Sequence, residues 1–349
     1  MIPSLADLSS LLKTHFDIQG LENCEPLPEG MINKSWLIRD RTKKLVFQYL
    51  PSKPTAQVLS RCRVARYAFR KGPVALPEPF LSRSGEEVIA LAGGSGIRVN
   101  SWLEGSTAAL AETYDHAFAL GSFIGGFHRG LKSRPETGCW PNTSVHRSIE
   151  IFSNLEKQTK VVGSDDELSK VADQILRTSK RLPFGLMPQG SEIVAHGDLR
   201  LENIVFSGST RIPIGLIDLD TLGRSPIDDE LGDLFRSIWD KASQSSLTLE
   251  QRTRILTGVL DGYISNSDLD EAGLAECVVI ASLRITLELA ARFCLAGIGG
   301  GDFLMPESRI AARRDCCAKF GIRALSSFQE QIELFDHSMR WARAWDRLS

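Results

Sequence analysis

The chain's 349 residues are enough for about two domains with full cores, and 41 Lys and Arg stand against 43 Asp and Glu with no region ruled by one sign. That balance excludes the basic footprint of a nucleic-acid or membrane-surface protein and points to an enzyme of small molecules. Seven scattered cysteines with no CxxC pair speak against a zinc site and fit reduced thiols in a cytoplasmic protein.

In chain order, "MIPSLADLSSLLKTHFDIQG" carries Asp7, Lys13 and Asp17 within its apolar positions and predicts an amphipathic helix rather than a signal peptide. Short β-type runs follow, "MINKSWLIRD", "KLVFQYL" and "EEVIALAGGSGIRVNSWL". Between the second and third lies a helical stretch stopped by Gly72 and Pro73. Near "NSWLEGST" the character changes: Gly105 ends an extended run and Ser106 or Thr107 is placed to cap the next helix. Helical patterns dominate from there on, interrupted by one pair of strands. "TKVVGSDDELSK" is a polar connection, and "GIGGGD" at 297–302 is a helix end running into a loop. The most apolar segment, 277–297, is broken by Arg284, Glu288 and Arg292, which rules out a membrane helix. Neither GxGxxG nor GxxxxGK[ST] is present, so dinucleotide-binding and P-loop folds lose their main support.

The chemistry concentrates in "HGDLRLENIVFSGSTRIPIGLIDLD", residues 196–220. Two apolar runs flank a Ser/Gly/Pro turn, so 203–206 and 214–219 are expected to pair as a hairpin that carries Asp218 back toward Asn203. Asp198 lies in the loop before it. One carboxylate for a hydroxyl proton and two oxygen ligands for a hard cation suit phosphoryl transfer, in which a protein mainly positions reactants and neutralises charge.

H-x-D-x-x-x-x-N followed by I-D-x-D resembles the signature of the aminoglycoside phosphotransferase and choline kinase group. The resemblance implies an α+β, bilobal protein-kinase-like fold: a β-rich nucleotide-binding lobe at 1–100, a connector at 101–105 and a mainly helical catalytic and substrate lobe at 106–349. It implies Asp198 as catalytic base, Asn203 and Asp218 as Mg²⁺ ligands, and ATP as phosphoryl donor. "GMINKSW", "FQYL", "IDLDT", "ELGDLFRS" and "LELAARFCL" with "GGGDF" are similar, in order, to an N-acetylhexosamine 1-kinase-like branch. That implies an N-acetylated amino sugar phosphorylated at its anomeric hydroxyl.

The nucleotide loop is then "PEGMINKSW", with Asn33 and Ser35 facing phosphate oxygens, and the connector offers backbone groups of Ser101 and Leu103 to adenine. The basic residue usual on the third strand is replaced by Gln48. Lys44 shares its face but lies about 13 Å away. Either Gln48 hydrogen-bonds phosphate, or Arg61, Arg63 or Arg66 on the following helix supplies the charge.

Arg284, Glu288 and Arg292 recur every fourth residue as one polar stripe, either solvated or lining a cleft. Arg292 is the substrate-contact candidate. Asp228, Asp229 and Glu230 are expected to be solvated, Asp233 with Arg236 to anchor the catalytic loop, and Asp220 to stabilise a turn. His128 is expected to be a satisfied packing histidine. Two other functions compete: a kinase of an aminoglycoside or amino alcohol, with the acidic cluster facing a cation, and a nucleotide-binding pseudokinase, favoured by Gln48.

Overall fold

The computed structural model describes residues 5–18, 21–27, 33–39, 43–109, 112–132, 140–142, 145–162, 167–180, 188, 190–269, 273–298, 310–333 and 335–346. Gly30 of the nucleotide loop, residues 163–166 of the polar connection and 299–302 after "GI" lie outside them. The chain divides into two units, Met1–Glu104 with Gly215–Asp220, and Gly105–Ile214 with Thr221–Ser349.

The first unit begins with helix α1 (Leu5–Phe16), followed by strands β1 (Asn23–Pro26), β2 (Lys34–Arg39) and β3 (Lys44–Leu50), helix α2 (Ala56–Phe69), and strands β4 (Ile89–Ala90) and β5 (Gly96–Ser101). The strands form one antiparallel sheet in the order β1-β2-β3-β5-β4. Leu8, Leu12 and Phe16, spaced four apart on α1, pack with Trp36, Ile38, Leu45, Phe47, Ile97 and Val99 in one core. Strand alternation sends every other side chain the opposite way. Trp36, Phe47 and Val99 are register partners in that core, while the next row, Ser35, Gln48 and Arg98, occupies the other face. Strand β1 has no apolar alternation in "NCEP" and is held by pairing with β2 rather than by burial, so periodicity did not reveal it.

The second unit contains strand β6 (Ser106–Thr107), helices α3 (Tyr114–Lys132), α4 (Ser148–Val162) and α5 (Glu167–Ser179), and strands β7 (Glu192–Ala195), β8 (Ile204–Phe206) and β10 (Gly223–Pro226), while β9 (Pro213–Leu216) begins in it and ends in the stretch assigned to the first. Helices α6 (Ile227–Ser243), α7 (Leu249–Asn266), α8 (Leu274–Ile298), α9 (Ile310–Glu333) and α10 (Phe335–Asp346) complete the second unit. Ser106 and Thr107 do not cap a helix. They pair with Phe206 and Val205, and the turn at α3 is capped by Thr113, whose hydroxyl accepts from the His116 N–H at 3.2 Å. The expected hairpin forms as β8 with β9, and β9 ends two residues before Asp218. Among the described residues no helix is long and apolar enough to cross a membrane.

Helices α3 and α7 approach through glycine. A Cβ on Gly121 would run into the Val259 carbonyl, and one on Gly262 into that of Phe118. Gly262→Ala is therefore expected to lose about 1–3 kcal/mol of unfolding free energy by overpacking, although alanine favours an isolated helix by about 1 kcal/mol. Chemical denaturation checks the sign.

Candidate active site

Strand β7 delivers the chain to His196, Gly197 and Asp198. Gly197 has φ +85° and sits against the Thr221 carbonyl, where a side chain would collide, so this turn requires glycine. The Thr221 hydroxyl donates to the His196 carbonyl at 2.8 Å. From α6, the Glu230 carboxylate accepts the N–H groups of His196 at 2.8 Å and Gly197 at 3.0 Å, and meets His128 Nε2 at 3.1 Å. His128 Nδ1 lies 3.0 Å from the Tyr263 hydroxyl, so this buried histidine is satisfied at both nitrogens, as expected. Burial opposes ionisation of Glu230, but His128, His196 and the Gly197 N–H outweigh it and hold its pKa below the usual carboxylate range.

Beyond Asp198 the chain makes a short helical turn, Leu201–Asn203, fixed by the Leu201 N–H donating to Ser237 Oγ at 3.1 Å. Asn203 Nδ2 donates to the Asp198 carbonyl at 2.8 Å and to Asp198 Oδ2 at 3.0 Å. Arg200 Nε stands 3.5 Å from the same Oδ2. Two of the expected site residues are thus brought together, and both contacts to the Asp198 carboxylate fall on one oxygen. Asp233 pairs with Arg236 at 2.6 Å in the same helix as Ser237 and Glu230.

In the first unit, Asp218 is exposed in the left-handed region at φ +59°. A short polar side chain tolerates this conformation best after glycine. Leu219 is buried and its carbonyl accepts the Cys62 thiol at 3.4 Å, while Asp220 accepts Arg98 Nη1 at 2.8 Å. Asp220 is therefore structural, through an ion pair 122 residues distant in sequence rather than through a local turn. Burial pushes the Cys62 thiol up to about 11. Gln48 sits mid-row: its Nε2 donates to Ser35 Oγ at 3.0 Å, and its Oε1 accepts Arg98 Nε at 2.7 Å and Asn100 Nδ2 at 3.3 Å. Arg98 and Asn100 were not foreseen from the sequence. Asn33 is half-buried just before β2. Ser101 is tied to Glu78 through its N–H and hydroxyl, at 2.8 and 2.9 Å, and Leu103 is half-buried after it.

The α8 stripe is not solvated. Arg284 and Glu288 are each 1 % exposed: Arg284 pairs with Asp229, and Glu288 accepts the Ser148 hydroxyl at 2.6 Å and faces His146 at 3.4 Å. Arg292, about a quarter exposed, pairs with Glu288 at 2.6 Å and donates to the Val145 carbonyl. The expectation for the acidic cluster is also corrected: Asp228, Asp229 and Glu230 are all buried, their counterparts being the Gly190 N–H, Arg284 and the His196 and Gly197 amides.

The profile of the phosphotransferase enzyme family APH matches residues 23–266, well over half of the chain. The chain belongs to this family. No curated protein matches it in sequence. Solved structures share the fold at low identity. Amicoumacin kinase with AMP-PNP, Ca²⁺ and Ami has a TM-score of 0.61 and 14 % identity over 91 % of this chain and 94 % of that one. Spectinomycin phosphotransferase with ADP and spectinomycin gives 0.59 and 14 % over 99 % of both, and choline kinase from Cryptosporidium parvum 0.54 and 12 % over 93 % of both. This phosphotransferase accordingly has the α+β, protein-kinase-like fold, with an antiparallel sheet in its N-terminal part and a mainly helical C-terminal part.

Because the folded pKa of Glu230 is depressed, its contribution to stability is present above the unfolded glutamate value of about 4.3 and is lost as pH falls through the folded one. Glu230→Gln of this phosphotransferase is expected to lose about 3–5 kcal/mol at pH 7 by breaking a buried charged network. The gap to the wild type should narrow in denaturation curves taken below about pH 4.

Proposed function

We propose that the enzyme transfers the γ-phosphoryl group of ATP, with Mg²⁺, to a hydroxyl of a small molecule, most specifically the anomeric hydroxyl of an N-acetylated amino sugar. The observation that carries this reading is the Asn203–Asp198 pair, in which one amide holds the carboxylate by Oδ2 and by its own carbonyl. Asp198 then offers its other oxygen to the acceptor hydroxyl, orienting the proton and receiving it as the hydroxyl oxygen bonds to the γ-phosphorus and the bond from that phosphorus to ADP breaks, ADP leaving. With its nitrogen given to Asp198, Asn203 would be left to hold Mg²⁺ by Oδ1, and the Asp218 carboxylate would be the second group to hold it. An all-oxygen donor set with one charge fits Mg²⁺, which retains several waters and, when bound, neutralises phosphate charge.

Asn33, Ser35 and Gln48 contact the phosphates in this reading. The Ser101 N–H is already given to Glu78, so the connector's part in adenine binding falls to the Ser101 carbonyl and to Leu103. Arg292, oriented by Glu288, contacts the sugar. A neutral acceptor is supported by the fate of the acidic cluster, whose first three carboxylates are buried against internal partners rather than presented to a cation. The antibiotics and choline named for the structural neighbours favour a second reading, an aminoglycoside or amino alcohol as acceptor.

Two measurements test this. Asp198→Ala should lower kcat by about 10²–10⁴-fold with Mg-ATP affinity largely kept, whereas Asp218→Ala should weaken the magnesium-dependent part of nucleotide binding. Preserved turnover in the first variant, or an unchanged metal requirement in the second, removes that residue from its role. ATP consumption across N-acetylated amino sugars, amino alcohols and aminoglycosides should be greatest with the sugars. Turnover confined to the cationic acceptors replaces the sugar reading with the second one, and no turnover on any acceptor leaves the pseudokinase.

A further inference from the structure

Kinases with a lysine on the third strand pair it with a glutamate on the next helix and use it to hold nucleotide phosphates. Here the strand carries Gln48, so the cations around it must be accounted for individually. Lys44 is bound to Glu104 at 2.8 Å. Arg63 and Arg66 both pair with Glu87, at 2.6 and 3.1 Å, and Arg66 also donates to the Pro77 carbonyl. Arg98 is divided between Gln48 and Asp220. Each has an internal partner.

Arg61 is the exception. It lies on α2, is 9 % exposed, and its Nε and Nη1 are buried with no hydrogen-bond partner among the described residues. A guanidinium does not shed its charge at any accessible pH, and burying it uncompensated is costly. The next residue, Cys62, ties this turn of α2 to the Leu219 carbonyl, between Asp218 and Asp220. Asp220 is already neutralised by Arg98 and cannot fully serve Arg61 as well. An unpaired, planar donor held beside the segment that carries Asp218 calls for an anion with several oxygens, the chemistry of a polyphosphate.

We propose that Arg61 grips the phosphates of the bound nucleotide, so that the cation supplied elsewhere by the third strand comes here from the following helix. The inference rests on the kinase reading above. Arg98 is a positioning residue: it occupies Asp220 and orients Gln48, and thereby leaves the charge of Arg61 to the ligand.

Calorimetric titration of the full chain with Mg-ATP, adenosine and magnesium tripolyphosphate tests it. Arg61→Met, which keeps the side-chain length, should weaken Mg-ATP and tripolyphosphate binding by about 10–100-fold and leave adenosine unchanged. The melting midpoint of the ligand-free variant should stay level or rise, because an uncompensated buried charge has gone. Arg61→Lys should recover part of the affinity, and Gln48→Lys added to Arg61→Met should recover it by returning a cation to the strand. Unchanged Mg-ATP binding in Arg61→Met overturns the assignment, and so does a fall in its ligand-free midpoint, which would make Arg61 a structural residue. If the wild type binds adenosine but not Mg-ATP, the phosphotransfer reading itself falls. Wild-type turnover with an indifferent Arg61→Met removes only the arginine.

Discussion

The second unit is organised around one buried carboxylate. Glu230 takes two consecutive backbone N–H groups, those of His196 and Gly197, and its charge is met by His128, which is itself held by Tyr263. Amides at a sharp turn have no ladder partners, and leaving two of them unpaired in the interior would cost more than any single side-chain contact returns. The anion thus sets the path of the loop before Asp198, and Gly197 is the residue that can follow it. Ser237, two turns along the same helix, fixes Leu201 and so the start of the Asn203 turn. Helix α6 in this way holds both ends of the segment between Asp198 and Asn203.

Several buried charges in this protein are paired across long sequence distances. Asp229 with Arg284, Glu288 with His146, and Asp220 with Arg98 are each joined by folding rather than by neighbouring position, whereas Glu288 and Arg292 are one turn apart on α8. His146 illustrates the balance: burial disfavours its charged form, yet the hydrogen bond to Glu288 and the nearby Asp233 raise its pKa above the ordinary value. Arg292 reaches solvent from such a network, with its guanidinium direction set by a carboxylate that is 1 % exposed.

This arrangement explains what could be read from the chain and what could not. The four-residue spacing of Leu8, Leu12 and Phe16 announces α1, and alternation in "KLVFQYL" announces β3, because each pattern lies within one element. Asp198 and Asn203 were legible as candidates because the motif sets them five positions apart, but the hydrogen bond between them was not, since the expected hairpin sets Asn203 against Asp218. Arg98 opposite Gln48 depends on the register between β3 and β5, which 45 intervening residues leave undefined in one dimension. The acidic run at 228–230 looked solvated because its counter-charges and amides come from Arg284, Gly190 and His196. Gln48 itself read as a phosphate contact, as a sign that an arginine of the next helix supplies the charge, or as a mark of a pseudokinase. In three dimensions it is the hub of a polar row, and a loss of charge on the strand coincides with an excess on the helix.

The left-handed backbone at Asp218 also narrows the chemical alphabet available to variation at that position. Branched and bulky residues are disfavoured there on conformational grounds before their chemistry is ever tried, and asparagine is the polar exchange that keeps the shape while deleting the charge. Natural drift at this point would then proceed through the electrostatics of a short polar side chain, with the geometry of the main chain inherited unchanged.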